Sequence, residues 1–149
     1  MKKSILIFWC ILVLGIGRVN GQTPVTTIGV VTTTENTAIV PITVQNFTDI
    51  GGCNIKIGYD NTVATLTSVT IDPAMSPQGS IDVNTATPGQ VYFQWFGNPS
   101  ATLASGAVEF NLHFTKVKLG TSALTFIDDN NSNSCAYAAF PSFIKYADT

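Results

Sequence analysis

Charge is scarce in this chain. Only 11% of its 149 residues are Asp, Glu, Lys or Arg, and seven cations stand against nine carboxylates. No basic surplus exists to replace phosphate counterions, which argues against nucleic-acid binding. Histidine occurs once, at His113, so little is available for histidine-based acid–base chemistry. No apolar run reaches the roughly 20 residues that a membrane-spanning helix needs. No window sustains the 3.6-residue apolar spacing of an amphipathic helix, and no internal repeat or low-complexity linker is present. Disorder is disfavoured as well, because 45% of the residues are hydrophobic and few charges oppose collapse. The length suits a single ordinary domain.

The longest apolar run is Ile5–Ile16 (ILIFWCILVLGI), twelve residues behind the basic pair Lys2-Lys3. Val19 and Gly21 place moderate and small residues at −3 and −1 of a cleavage site before Gln22. Residues 1–21 therefore read as a secretory signal peptide, and residues 22–149 as the exported domain, with no stable membrane span after cleavage. Removing 21 of 149 residues leaves 128, with four cations (Lys56, Lys116, Lys118, Lys145) against nine carboxylates, a charge of −5. Of three cysteines, Cys53 and Cys135 remain. An even count in an exported chain permits one disulfide between them; two free thiols are the other reading.

The exported part reads as strands. β-branched and aromatic residues suit a half-buried pleated surface, and turn signals recur at short intervals. Predicted strands are Thr27–Thr33, Thr37–Asn46, Gly52–Tyr59, Ala64–Ile71, Ser80–Asn84, Gln90–Phe96, Val108–Val117 and Ser122–Ile127. Pro41 has no N–H, so its strand is expected at a sheet edge or with a bulge. In Val108–Val117, Val108, Phe110, Leu112 and Phe114 alternate to one side and Glu109, Asn111, His113 and Thr115 to the other. Short strands with one apolar face each must hide those faces against one another, which predicts an all-β, two-sheet sandwich of about eight or nine strands.

Catalytic signals are weak. His113 lies on the polar side of its strand near Glu109, but no Ser or Cys nucleophile signature accompanies it, and a solvated surface histidine is the simpler reading. Nine acids scattered through turns single out no carboxylate pair for glycoside hydrolysis. Asp128-Asp129-Asn130-Asn131 offers oxygen ligands of the kind calcium takes, without the glycine and distal glutamate of an EF-hand loop; a polar turn is the other reading. No catalytic residue, metal site or cofactor is assigned. The remaining signal is in Gln90–Phe96 (QVYFQWF), where Val91, Phe93 and Trp95 make the better core set. That turns Tyr92, Gln94 and Phe96 outward, as a surface for protein recognition or sugar stacking.

The stretch Ile50-Gly51-Gly52-Cys53-Asn54-Ile55-Lys56-Ile57-Gly58-Tyr59-Asp60, followed by Val63 and Leu66-Thr67-Ser68-Val69, resembles the cohesin signature: a glycine-rich entry, an alternating strand ending in Tyr-Asp, a turn and a further strand. Ala38–Asn46, Gly89–Trp95, Gly106–Phe114 and Ser122–Ile127 resemble other cohesin strands in the same order, over most of residues 26–128. Asn61 stands where the family usually has proline, and Ala64 where it often has leucine. The phrase leading to the family's last strand is missing, so the domain reads as truncated at its C-terminus, with Cys135–Tyr146 as the approach to that strand. The Thr- and Asn-rich texture is similar to modules of large secreted proteins in Bacteroidetes-type bacteria.

The resemblance implies a jelly-roll sandwich related to carbohydrate-binding modules. It further implies an extracellular, non-catalytic module that docks a dockerin-type protein in a polysaccharide-degrading or cell-surface assembly. The docking face implied is one sheet face carrying Asn54, Lys56, Asp82, Asn84, Tyr92, Gln94, Phe96, Asn111 and His113. Direct polysaccharide binding and a ligand-free spacer in a larger secreted protein are the competing readings.

Overall fold

A computed structural model describes residues 22–75, 79–128, 134–139 and 145–147. The export-signal segment, the C-terminal end and most of the Asp128–Asn131 cluster lie outside the described residues. The described chain contains eleven strands: β1 (Val25–Ile28), β2 (Thr32–Thr33), β3 (Thr37–Gln45), β4 (Ile50–Gly58), β5 (Ala64–Ile71), β6 (Gly79–Asn84), β7 (Gln90–Ala101), β8 (Ala107–Lys116), β9 (Thr125–Phe126), β10 (Ala136–Ala139) and β11 (Lys145–Ala147). They form two antiparallel sheets. One has the order β1-β3-β8-β5 with β2 also on β3; the other has the order β11-β10-β4-β7-β6 with β9 also on β4. The predicted two-sheet sandwich is the observed architecture. No described helix is long and apolar enough to cross a membrane.

The core follows from alternation. Val40, Ile42 and Val44 of β3, Ile55 and Ile57 of β4, and Val91, Phe93 and Trp95 of β7 are buried, as are Phe110, Leu112 and Phe114 of β8. Phe93 stacks on Phe110 across the two sheets with ring centroids 4.2 Å apart. Phe47 meets Trp95 and Tyr137, and the Trp95 indole N–H donates to the Met75 carbonyl at 2.9 Å. The Tyr-Asp end of β4 is structural. The Tyr59 ring packs edge-on against Phe114, and Asp60 Oδ1 accepts from the hydroxyl and N–H of Thr62, which hold its carboxyl below the ordinary range.

Five local expectations change. Pro41 is in an interior strand, with β8 on one side and β1 and β2 on the other. Its ring faces the gap between β1 and β2, so the neighbour is interrupted and β3 is not. The predicted Thr27–Thr33 strand accordingly breaks into two pieces. Gly29 crosses that gap, donating to the Pro41 carbonyl at 2.8 Å; a Cβ there would lie 3.0 Å from the Pro41 ring. In β8, the register shifts opposite Ile42/Thr43, so Glu109 is an extra residue that bulges inward and is fully buried, while Val108 leaves the core set. Ser122–Ile127 pairs only at Thr125–Phe126. Within Cys135–Tyr146, expected as an approach segment, Ala136–Ala139 forms β10 on the edge of β4, and Lys145 and Tyr146 belong to β11.

Candidate functional site

The outer side of the six-stranded sheet is built in cross-strand rows. Asn54, Gln94 and Asp82 occupy one row, Lys56, Tyr92 and Asn84 the next, and Gly52, Phe96 and Ser80 the third. Each belongs to the strand parity opposite the buried set, so its side chain leaves the sheet away from the core. Gln94 Nε2 donates to Asn54 Oδ1 at 3.1 Å and to the Tyr92 hydroxyl at 3.0 Å, which fixes the amide's orientation and ties two rows together. Phe96 is 54% exposed, an unusual position for so large an apolar ring. It lies beside Gly52, where a Cβ would sit 3.6 Å from the Phe96 ring and 3.2 Å from the Trp95 carbonyl oxygen. A shallow groove of about 450 Å³ lies there, lined by Asn54, Ser80, Asp82, Gln94, Phe96, Ala136 and Ala138 among others. Lys56 and Asp82 bring opposite charges, so the face offers hydrogen-bonding groups and two aromatic rings, Tyr92 and Phe96, and has no strong charge of either sign.

Seven of the nine residues expected on one face are thus together. Asn111 and His113 are not. They lie on β8, which pairs with β3 and β5 in the other sheet, so they project from the opposite side of the sandwich. Alternation assigns a residue to the inside or outside of its own sheet, but strand pairing decides which sheet that is. His113 Nε2 is 2.9 Å from the Thr70 hydroxyl. Glu109, expected beside it, is instead in the interior.

Cys53 and Cys135, the pair of the possible disulfide, are not joined to each other and have different neighbours. Cys53 donates to Glu109 Oε1 at 3.1 Å, whereas Cys135 Sγ approaches the carbonyls of Lys56 and Ile127 at 3.8 and 3.7 Å. Burial, then the adjacent Glu109 carboxylate, push the Cys53 thiol well above its ordinary range. A protonated, enclosed thiol is a poor nucleophile. Among the described residues, no three His, Cys, Asp or Glu side chains converge as metal ligands.

β10 and the Glu109 cluster escaped sequence reading. Ala136–Ala139 has only Tyr137 as a periodic signal, and a glutamate in an alternating strand reads as solvent-facing until pairing reveals the bulge.

The fold defines a class of two-sheet antiparallel sandwich domains, here with a mixed polar and aromatic outer sheet face. Within that class, the chain belongs to the cohesin family: the cohesin domain model matches residues 24–134. Members of this family are non-catalytic binding domains, and the jelly-roll form is theirs. No curated relative matches by sequence. Among solved structures, the sixth cohesin of scaffoldin B from Acetivibrio cellulolyticus, in complex with a Cel5 dockerin, matches with a TM-score of 0.69 at 12% identity, over 86% of this chain and 94% of that one. A Clostridium acetobutylicum cohesin, CaCohA2, in complex with the dockerin CaDoc0917, matches with a TM-score of 0.66 at 25% identity, over 85% and 95%. The cohesin of the Clostridium thermocellum Coh-OlpA–Doc918 complex matches with a TM-score of 0.66 at 15% identity, over 86% and 94%.

Proposed function

We propose that this chain is a secreted or cell-surface docking module that binds a dockerin-type protein through the outer face of the β10-β4-β7-β6 sheet. Its setting would be an assembly that acts on polysaccharide. The observation that carries the reading is the gathering of Asn54, Lys56, Asp82, Asn84, Tyr92, Gln94 and Phe96 in adjacent rows around an open groove. Central aromatic anchors ringed by polar groups are what protein interfaces use. The complexes in which the matched cohesins were solved support the partner class. The export-signal pattern of residues 1–21 supports the setting.

The test is capture of binding proteins from the organism's secretome with purified domain 22–149. A dockerin-bearing protein should be retained, and Tyr92→Ala with Gln94→Ala should release it. Retention unaffected by that pair would overturn the assignment of the face. A second reading, direct glycan binding, is favoured by Phe96, whose exposed ring lies ~13 Å from Tyr92 along the strand, a spacing suited to separate sugar rings. Glycan-array binding lost in Phe96→Ala would select it; an array without hits would eliminate it.

A further inference from the structure

One buried side chain joins the core to the rim of the groove. The β8 bulge turns Glu109 inward, where Oε1 accepts the Cys53 thiol at 3.1 Å and Oε2 accepts the Tyr137 hydroxyl at 3.0 Å. Thr26 Oγ1 lies 2.6 Å from the same hydroxyl. The Tyr137 hydroxyl has one proton and gives it to Glu109, so Thr26 donates to Tyr137, and Cys53 donates to the same carboxyl. Cys53 of β4 and Tyr137 of β10 are direct partners in the sheet register. The two oxygens of one carboxylate therefore grip both strands at the same rung.

β11 pairs the far edge of β10, and Cys135 just before it contacts the Lys56 and Ile127 carbonyls, but the side chains of β10 itself offer little to define its register on β4. It is four residues long, three of them alanine, and its ladder to β4 becomes irregular between Ala138 and Ala139. Tyr137 is its one large side chain. A one-residue slip would exchange Tyr137 for an alanine on the inner face. On the outer side, Gly52 and Asn54 flank Cys53, Ala136 and Ala138 flank Tyr137, and all four line the groove.

We propose that Glu109 is a positioning residue for the binding face: it sets the register of β10 on β4 and thereby the wall of the groove. The consequence for a partner rests on the docking reading; the register itself does not. A buried polar group that selects one register is the best-attested role for such groups.

The test is amide hydrogen exchange on the whole domain, comparing residues 136–139 with 91–96, alongside thermal unfolding. Tyr137→Phe, which keeps the ring, and Glu109→Leu, which keeps the volume, should each speed exchange in β10 about tenfold or more relative to β7, as expected when a buried polar group loses its hydrogen-bond partner. Glu109→Gln should restore most of the protection, because its carbonyl can accept from Cys53 and its amide can donate to Tyr137. Exchange in β10 unchanged in Tyr137→Phe would overturn the proposal. So would uniform acceleration of β4, β7 and β10, the signature of plain destabilisation. This measurement needs no partner, so it decides the register claim even if the wild-type domain retains no dockerin, a result that counts against the docking reading alone.

Discussion

At the residue scale, Cys53 and Glu109 impose a pH dependence on the core. The folded thiol ionises later than the unfolded one, because desolvation and then the neighbouring carboxylate oppose a thiolate. Its contribution to stability is therefore complete below about pH 8.5, where an unfolded cysteine begins to lose its proton, and declines as pH rises from there toward the folded value. Cys53→Ala should flatten the alkaline limb of urea-midpoint against pH; an unchanged limb would show that other groups govern it. The native thiol should also resist alkylation at neutral pH and react once the chain unfolds, as read by mass spectrometry. Across the sandwich, the Phe93–Phe110 stack joins two fully buried rings. Phe93→Ala should cost about 3–5 kcal/mol in urea unfolding, through lost transfer energy and the cavity left behind. The inward set of β7 was legible because its alternation is unbroken. Glu109 was not, because a bulge is an event of pairing with β3, and nothing in Val108-Glu109-Phe110 marks it.

At the element scale, Pro41 shapes its neighbour more than its own strand. Without an N–H it cannot accept a continuous partner on the β1/β2 side, and Gly29 crosses the gap against the Pro41 ring and carbonyl. Gly29→Ala should destabilise by about 1 kcal/mol, within the ordinary range for tight positions. In Pro41→Ala, part of that cost should disappear, since the ring contact is gone; additive effects in the double-mutant cycle would reject the coupling. The position of Pro41 was visible in the sequence, but edge or bulge were the only solutions alternation suggested, and the fold uses a third. The shortening of Ser122–Ile127 to β9 is similar. In residues 117–124, Val117 donates to the Val63 carbonyl and Gly120 packs near the Val63 side chain, so that stretch bonds to the turn before β5 and forms no sheet ladder.

At the scale of the molecule, the two outer faces make opposite predictions. Phe96→Ala with Gln94→Ala should abolish retention of a dockerin-type partner while the domain stays folded. Asn111→Ala with His113→Ala should leave retention unchanged, because those side chains leave the far sheet. Loss of binding in the second pair and not in the first would move the site to the β1-β3-β8-β5 face. By itself the sequence determined the all-β class, most strand positions, the inward and outward sets of β7, and the family resemblance. These depend on local period-two patterning and on motif order, both written along the chain. Only tertiary structure decided which strands share a sheet, that Asn111 and His113 part from the other seven residues, that Cys53 meets Glu109 and not Cys135, and that Ala136 and Ala138 wall the groove. Each of these depends on pairing between residues far apart in sequence, where register and bulges, set by packing of the whole, choose among arrangements that local patterning leaves equal.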